Sequence, residues 1–257
     1  MSERRSPRDA FLTVYGRQPV AEALADERLR VAHIIVADGA HGENLDAILA
    51  AARRRGTEIR HRSAQQVKLI AGNGRHDQGV AADVVAPRMR QLEEFLGDWE
   101  RRERDDAPLA VLVLDGVTNP ANVGMILRTA TAAGFEGIVV PRAGTAAVGP
   151  LVIKASAGVA FRAPILRCHT AAGALSALTE AGIVVYGLAG DAGDRLDRAE
   201  LSPVAAYVVG NESTGVDPEL HPYISQWLSI PLHGGVESLN VASATAILAY
   251  EVERRRS

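Results

Sequence analysis

The amino-acid sequence predicts an α/β protein in which a small N-terminal α/β domain precedes a larger domain built on a parallel sheet. Two observations carry this. From Leu109 onward, short and nearly continuous apolar runs alternate with segments of helical period, the pattern of strands covered on both faces by helices. Ahead of them, residues 87–108 change character: Leu92, Phe95, Leu96 and Trp99 keep helical spacing, and Glu100-Arg-Arg-Glu-Arg-Asp-Asp106 is a run of charge. An amphipathic helix followed by a solvated linker marks a domain boundary. The expected division is therefore a first domain at 10–87, a helix and linker at 88–108, and a second domain at 109–257.

In the first domain the patterning suggests helices at 16–24, 45–55 and 64–71 and strands at 31–37, 57–61 and 79–86. Leu45, Ile48, Leu49 and Ala52 share one side of the middle helix. In the second domain, strands are expected at 109–114, 137–140, 163–166, 183–188, 205–209 and 227–230, with helices at 122–133, at 171–181 and at the C-terminus. On that last helix Leu239, Ala242, Ala246 and Tyr250 recur at helical spacing, and Val241, Thr245, Leu248 and Val252 widen the apolar face.

The 257 residues are 47% hydrophobic and 23% charged, ordinary for a globular protein with room for two domains. A lone cysteine, Cys168, excludes an intramolecular disulfide and a cysteine-based metal cluster, and fits a reducing compartment. No apolar stretch follows the basic residues of Met1-Ser-Glu-Arg-Arg, and no run approaches the roughly 20 residues that span a bilayer. A cytoplasmic protein that does not engage membrane is expected. The net charge of −3 is unremarkable, but residues 1–86 carry 13 Lys+Arg against 11 Asp+Glu, whereas 109–257 carry 10 against 13. Nearly all the positive charge is arginine, which suits phosphate forks. Arg53, Arg54, Arg55, Arg60 and Arg62, with Arg75 in the polar turn at 72–79, are candidate RNA contacts. By itself, a triple arginine at a helix end is most often a solvated face that also favours the helix dipole.

Several chemistries lack their signatures. No G-x-G-x-x-G follows the first strand, and no P-loop, H-E-x-x-H or G-x-S-x-G is present. The seven histidines show no metal spacing, and no metal is expected. Asn211-Glu-Ser213 reads formally as a glycosylation sequon and, without a secretory signal, as chance.

Three loops remain, each at the end of a predicted strand. In Asp115-Gly-Val-Thr-Asn-Pro-Ala-Asn-Val-Gly-Met-Ile-Leu-Arg128, Pro120 extends Asn119 and places Asn122 to cap the next helix. Val123, Ile126, Leu127 and Ala130 form its buried stripe; Arg128 lies off it, one turn beyond Gly124, which leaves space beside the guanidinium. In Val209-Gly-Asn-Glu-Ser-Thr-Gly215 a buried strand runs into a glycine-bracketed carboxylate, Glu212. The third loop follows Pro231: His233-Gly-Gly leads to Glu237, Ser238 and Asn240 at the start of the last helix. Ser238 or Asn240 is a candidate cap there. Ligands of open α/β sheets bind at the carboxyl ends of strands, so three such loops point to one crevice.

These motifs resemble the SpoU (TrmH) class of SPOUT RNA ribose 2′-O-methyltransferases. Asn119-Pro-Ala-Asn-Val-Gly-Met-Ile-Leu-Arg-Thr-Ala130 looks like the first family motif and Gly210-Asn-Glu-Ser-Thr-Gly215 the second. The third is Ile230-Pro-Leu232 with Ser238-Leu-Asn-Val-Ala242 and Ala249-Tyr-Glu251. Residues 10–87, with Tyr15-Gly16 and His76…Gln78-Gly79, resemble more loosely the small ribosomal-protein-like domain preceding many such catalytic domains. The resemblance implies S-adenosylmethionine as methyl donor, an RNA ribose 2′-hydroxyl as acceptor, a homodimer, and a trefoil knot in the C-terminal part. By the same similarity Gly190, Gly210, Ile230, Leu232 and Leu239 line the cofactor pocket, and Asn122, Arg128, Glu212, Ser238 and Asn240 form the reacting site. A guanidinium does not readily give up its proton, so Arg128 is read as holding RNA phosphate and steadying the developing 2′-oxyanion, with the base left open. The leading expectation is a 23S ribosomal RNA 2′-O-methyltransferase acting on guanosine. A thiostrepton-resistance type or a tRNA enzyme are the family alternatives. Outside the family, a non-catalytic RNA-binding or ribosome-assembly protein or a nucleotide-dependent oxidoreductase compete.

Overall fold

The computed structural model describes residues 11–71, 77–101 and 108–256. The chain divides into two compact units, 1–87 and 88–257.

The first unit runs β1 (Phe11–Tyr15), α1 (Arg17–Ala25), β2 (Val31–Ala37), α2 (Glu43–Arg54), β3 (Glu58–Arg62), α3 (Ala64–Ala71) and β4 (Val80–Val85). Its sheet order is β1-β4-β2-β3, with only the β2–β3 pair parallel. Strand alternation sends Ile35, Ala37 and Ala81 to one face, where Val67 of α3 meets them. On that same face the buried His33 Nε2 lies 2.9 Å from one Asp83 carboxylate oxygen, and Thr13 donates to the other at 2.6 Å. The β1 strand has no counterpart in the sequence-based reading, because five residues with two polar members become a strand only when β4 pairs with them.

The second unit runs β5 (Arg90–Gln91), α4 (Leu92–Arg101), β6 (Leu109–Leu114), α5 (Pro120–Ala132), β7 (Gly137–Pro141), α6 (Pro150–Ala155), β8 (Ile165–Cys168) and α7 (Ala171–Glu180). It continues through β9 (Val184–Leu188), β10 (Asp194–Arg195), β11 (Val204–Val209), β12 (Gln226–Ser229) and α8 (Val241–Arg256). The eight strands follow the order β10-β12-β9-β11-β6-β7-β8-β5, and every pair is parallel. The α/β class with a C-terminal parallel sheet is thus as expected. Chain order reverses direction at β6: β7 and β8 lie on one side of it, β11 and β9 on the other. Such a reversal opens a crevice at the strand ends.

Residues 88–101 are integral to this second unit rather than a spacer. β5 adds an edge strand beside β8, and Leu92, Phe95 and Leu96 of α4 join the core formed with α7 and the strands. Arg90 stacks over Phe95 at 4.9 Å and donates to Asp98 at 2.6 Å, which ties strand to helix. Most of the charge run lies outside the described residues.

The last helix also departs from its expected face. Val241, Thr245, Leu248 and Val252 are buried, but Ala246 and Tyr250 are exposed, Tyr250 to 71%. Two apolar stripes were available on this alanine-rich helix, and packing against α5 selects one. Its C-terminal arginines are structural: Arg254 and Arg255 pair with Glu251, Arg255 also donates to the Ala199 and Leu196 carbonyls, and Arg256 pairs with Glu136. No helix among the described residues is long and apolar enough to cross a membrane.

Candidate active site

The register that sets β6 beside β11, Leu114 opposite Val209, brings the first two loops together at one end of the sheet. At the first, the helix cap is Asn119 rather than Asn122: its Oδ1 accepts the Ala121 N–H at 2.9 Å, and Pro120 takes the first helical position, where no N–H is needed. Asn122 is thereby freed from capping, turned inward and 96% buried, its exposure being 4%.

That inward amide finds partners far away in sequence. Asn122 Nδ2 donates to Glu212 Oε1, and Asn240 Nδ2 donates to Asn122 Oδ1 at 3.1 Å while lying 3.5 Å from the same Glu212 oxygen. Asn240 is also a cap: its Oδ1 accepts from Ala242 N–H at 2.9 Å. Of the two caps foreseen, Ser238 or Asn240, it is thus Asn240 that caps α8, and the other end of the same amide is left to meet Asn122. Glu212 is the shared acceptor, so one residue from each of the three loops meets in a single hydrogen-bonded triangle.

Beside the triangle lies a cavity of about 320 Å³. Gly190, Gly210, Ile230, Leu232 and Leu239 all line it, with Glu212 and Ser238 at its polar side. The glycines matter by close approach. A Cβ on Gly190 would sit 3.2 Å from the Glu237 carbonyl, and one on Gly210 only 2.2 Å from the Gly215 backbone. From Pro231 to Leu239 the backbone makes a single backbone–backbone hydrogen bond among the described residues, Val236 N–H to His233 O at 3.5 Å. The other backbone groups of this stretch have no backbone partner among the described residues. Apolar walls with backbone donors and acceptors suit a purine nucleoside with a polar tail, so the site fits S-adenosylmethionine.

Arg128 projects from the exposed side of α5 as expected, outside the cavity lining. The space assigned beside Gly124 is, however, filled: a Cβ there would stand 2.5 Å from Ala155 Cβ and 2.6 Å from the Val152 carbonyl, both on α6. Gly124 serves helix packing. Asp115, at the end of β6, is half-buried, which pushes its carboxyl above the usual range, and the nearby Asp217 carboxylate adds to this while the Asp217 N–H opposes it.

The candidate RNA arginines separate into two groups. Arg55 donates to the carbonyls of Leu24, Asp26 and Leu29 at 2.6, 3.2 and 2.7 Å and closes the C-terminal end of α1. Arg60 is held in a fork by Glu58 and touches His33. Arg53 and Arg54 are exposed at the end of α2, and Arg62 is exposed with one bond to the His61 carbonyl. Arg75 lies outside the described residues. A groove of about 920 Å³ between α1 and α2, lined in part by Arg17, Gln18, Asn44, Arg54 and Gln78, had no local sequence signal. Its residues come together only when the two helices pack.

Residues 109–250 match the SpoU rRNA Methylase family, and residues 13–90 match the RNA 2′-O ribose methyltransferase substrate-binding family. The chain belongs to the SpoU rRNA methylase family. It is 34% identical over 243 residues to the 23S rRNA (guanosine-2′-O-)-methyltransferase RlmB of Xanthomonas campestris, covering 95% of this chain and 96% of that one. Among solved structures, a putative RNA methyltransferase of the TrmH family from Porphyromonas gingivalis aligns with a TM-score of 0.63 at 30% identity, covering 96% and 91% of the two chains. The SpoU methyltransferase AviRb from Streptomyces viridochromogenes, in complex with AdoMet, aligns with a TM-score of 0.63 at 24% identity, covering 97% and 92%.

Proposed function

We propose that this family member transfers a methyl group from S-adenosylmethionine to the ribose 2′-hydroxyl of a guanosine in 23S ribosomal RNA, in the cytoplasm. The observation that carries the reading is the Asn122–Glu212–Asn240 triangle at the edge of the glycine-lined cavity. The RlmB relatives, aligned over nearly their whole length, favour 23S rRNA and guanosine.

The bound cofactor supplies an electrophilic methyl group on a sulfonium, and the protein's work is positioning. Glu212 holds the amides of Asn122 and Asn240 in fixed orientation, and Ser238 faces the cavity where the ribose enters. Arg128 clamps the RNA phosphate beside the target nucleotide and steadies negative charge developing on the 2′-oxygen. Gly190, Gly210, Ile230, Leu232 and Leu239 hold the cofactor, largely through backbone groups. The trefoil knot implied by the family resemblance belongs to this proposal.

The first unit supplies RNA affinity. Arg53, Arg54 and Arg62 offer exposed guanidinium groups, and the α1–α2 groove adds Arg17; Arg55 and Arg60 act by holding that surface in shape. A homodimer completes the assembly, with the exposed Ile247 and Tyr250 on α8 as the apolar surface that a second copy covers.

The test is methyl transfer from labelled S-adenosylmethionine to unmodified 23S rRNA, with the methylated nucleotide mapped and cofactor binding followed by calorimetry. Methylation of one guanosine ribose is expected. Cofactor binding with methylation confined to tRNA would overturn the substrate assignment, and no cofactor binding would overturn the activity.

A further inference from the structure

We infer that Asn211 is a positioning residue for the methyl-transfer reaction, aiming the Glu212 carboxylate by welding its loop to the loop that follows β6. The inference rests on the role proposed above for Glu212.

The turn after β11 is unusually tight. Asn211 and Gly215 exchange two backbone hydrogen bonds of 2.9 Å, Gly215 adopts φ +71°, and Gly210 has no room for a side chain against the Gly215 backbone. Glu212 sits next to the pivot of this turn. The Asn211 side chain ties it down from both ends of one amide. Its Oδ1 accepts the N–H groups of Ser213 at 2.8 Å and Thr214 at 3.4 Å. Its Nδ2 donates to the Gly116 carbonyl at 2.9 Å.

That last bond crosses between chain segments 95 residues apart. Gly116, at φ +63°, approaches so closely that a Cβ there would lie 3.3 Å from Asn211 Cβ. A second bond from the same strand end supports it: Asp217 N–H donates to Asp115 Oδ2 at 2.8 Å. The segment 115–116 thus grips the glutamate loop on both sides of Glu212, and that segment leads directly into the helix carrying Asn122 and Arg128. Aspartate at 211 retains the acceptor but lacks the donor; alanine lacks both. Only an amide serves both sides. The nitrogen that would carry a glycan, had this been a sequon, is the one engaged with Gly116.

The experiment uses the full chain, labelled S-adenosylmethionine and unmodified 23S rRNA, with Asn211→Ala, Asn211→Asp, Glu212→Ala and the Asn211→Ala/Glu212→Ala double variant. Misplacing a reacting group by a fraction of an ångström to 1 Å costs up to about 10²-fold in rate, so Asn211→Ala is expected to lower kcat by roughly 10- to 100-fold. Cofactor Kd and RNA KM should stay within about twofold of wild type if only orientation is lost. Asn211→Asp, which keeps the side-chain volume, should fall between alanine and wild type. In the Glu212→Ala background the Asn211 substitution should cost no more than about twofold, because residues acting through one another are not additive.

A structural role alone would make the two losses multiply, and that result overturns the inference. So does an Asn211→Ala enzyme at wild-type kcat when Glu212→Ala is impaired. Should Asn211→Ala fail to fold, the isosteric Asn211→Asp variant, alone and combined with Glu212→Ala, decides by the same cycle. A Glu212→Ala enzyme at wild-type kcat would instead remove Glu212 from the reaction, so the reading of the site would fail and this inference with it.

Discussion

Replacing Gly124 by alanine sets two effects of opposite sign against each other. In an exposed helix interior the change stabilises by about 1 kcal/mol, because alanine restricts the unfolded chain more than glycine. At Gly124 the added methyl would meet Ala155 Cβ at 2.5 Å, the Val152 carbonyl at 2.6 Å and the Ser156 N at 2.9 Å. Two of the three are backbone atoms that cannot rotate aside. Ser156 has no slack either, since it is fully buried and its hydroxyl donates to Ile153 O at 2.8 Å while accepting from Ala160 N–H at 3.1 Å. Overpacking of this kind costs about 1–3 kcal/mol, and rigid neighbours place this site at the upper end. The expected net is a loss of about 2 kcal/mol once the propensity gain of about 1 is subtracted. Both tryptophans, Trp99 and Trp227, lie in the second unit, so urea unfolding followed by tryptophan fluorescence reports the right part of the molecule. Gly97→Ala is the internal control. Its methyl would meet only the flexible Arg101 head, at 3.6 Å, and it should stabilise by about 1 kcal/mol. Turnover should fall in Gly124→Ala, because Asn122 and Arg128 move with α5, and should be unchanged in Gly97→Ala. A Gly124→Ala protein that is more stable than wild type, with full turnover, would refute the packing of α6 on α5.

Arg128→Ala should unfold within about 0.5 kcal/mol of wild type, as an exposed substitution, yet lose about 10²–10³ in turnover as an oxyanion-stabilising group; Arg128→Lys should recover only part, since the planar fork is gone. Near wild-type methylation by Arg128→Ala would remove it from the site. Substituting Arg53, Arg54 and Arg62 together by glutamine should weaken RNA binding and flatten its dependence on salt, since fewer counterions are released, with cofactor affinity unchanged; filter binding across a salt series measures it. Arg55→Gln should act differently, lowering the stability of the first unit, because the shorter amide lacks the two-nitrogen fork that spans the Leu24, Asp26 and Leu29 carbonyls. At the C-terminus, hydrogen bonds from Arg254 and Arg255 hold the Glu251 carboxyl below the usual glutamate range despite its burial. Its folded pKa is therefore lower than that of an unfolded glutamate, about 4.3, so its charge stabilises the fold above that unfolded value and the contribution is lost as pH falls through the folded one. Urea midpoints of Glu251→Gln should accordingly lie below wild type at neutral pH and converge with it in acid; a constant gap would show that ionisation is not involved.

Much of the fold was legible in the chain itself, and for a local reason. Strand runs such as Leu109–Leu114 and Val204–Val209 are apolar throughout, and Asn-Pro at 119–120 and Gly-Asn at 210–211 punctuate the backbone without help from distant residues. Hence the parallel sheet and the three strand-end loops could be placed, and the motifs in those loops carried the family resemblance. What remained hidden depended on which surfaces meet. A helical stripe on α8 leaves open which of two apolar faces turns inward, and contact with α5 left Ala246 and Tyr250 outside. Spacing points to Asn122 as the cap of α5, yet Asn119 takes that place and Asn122 is buried against Glu212, 90 residues on. A row of arginines looks uniform in sequence, yet the α1 carbonyls claim Arg55 and Glu58 claims Arg60, leaving the others exposed. Gly124 looks like room for Arg128 until α6 arrives to fill it. Local sequence sets backbone conformation and the apolar faces available to it; only tertiary packing decides which polar groups are buried together, because each must find its hydrogen-bond partner among residues the chain brings back from far away.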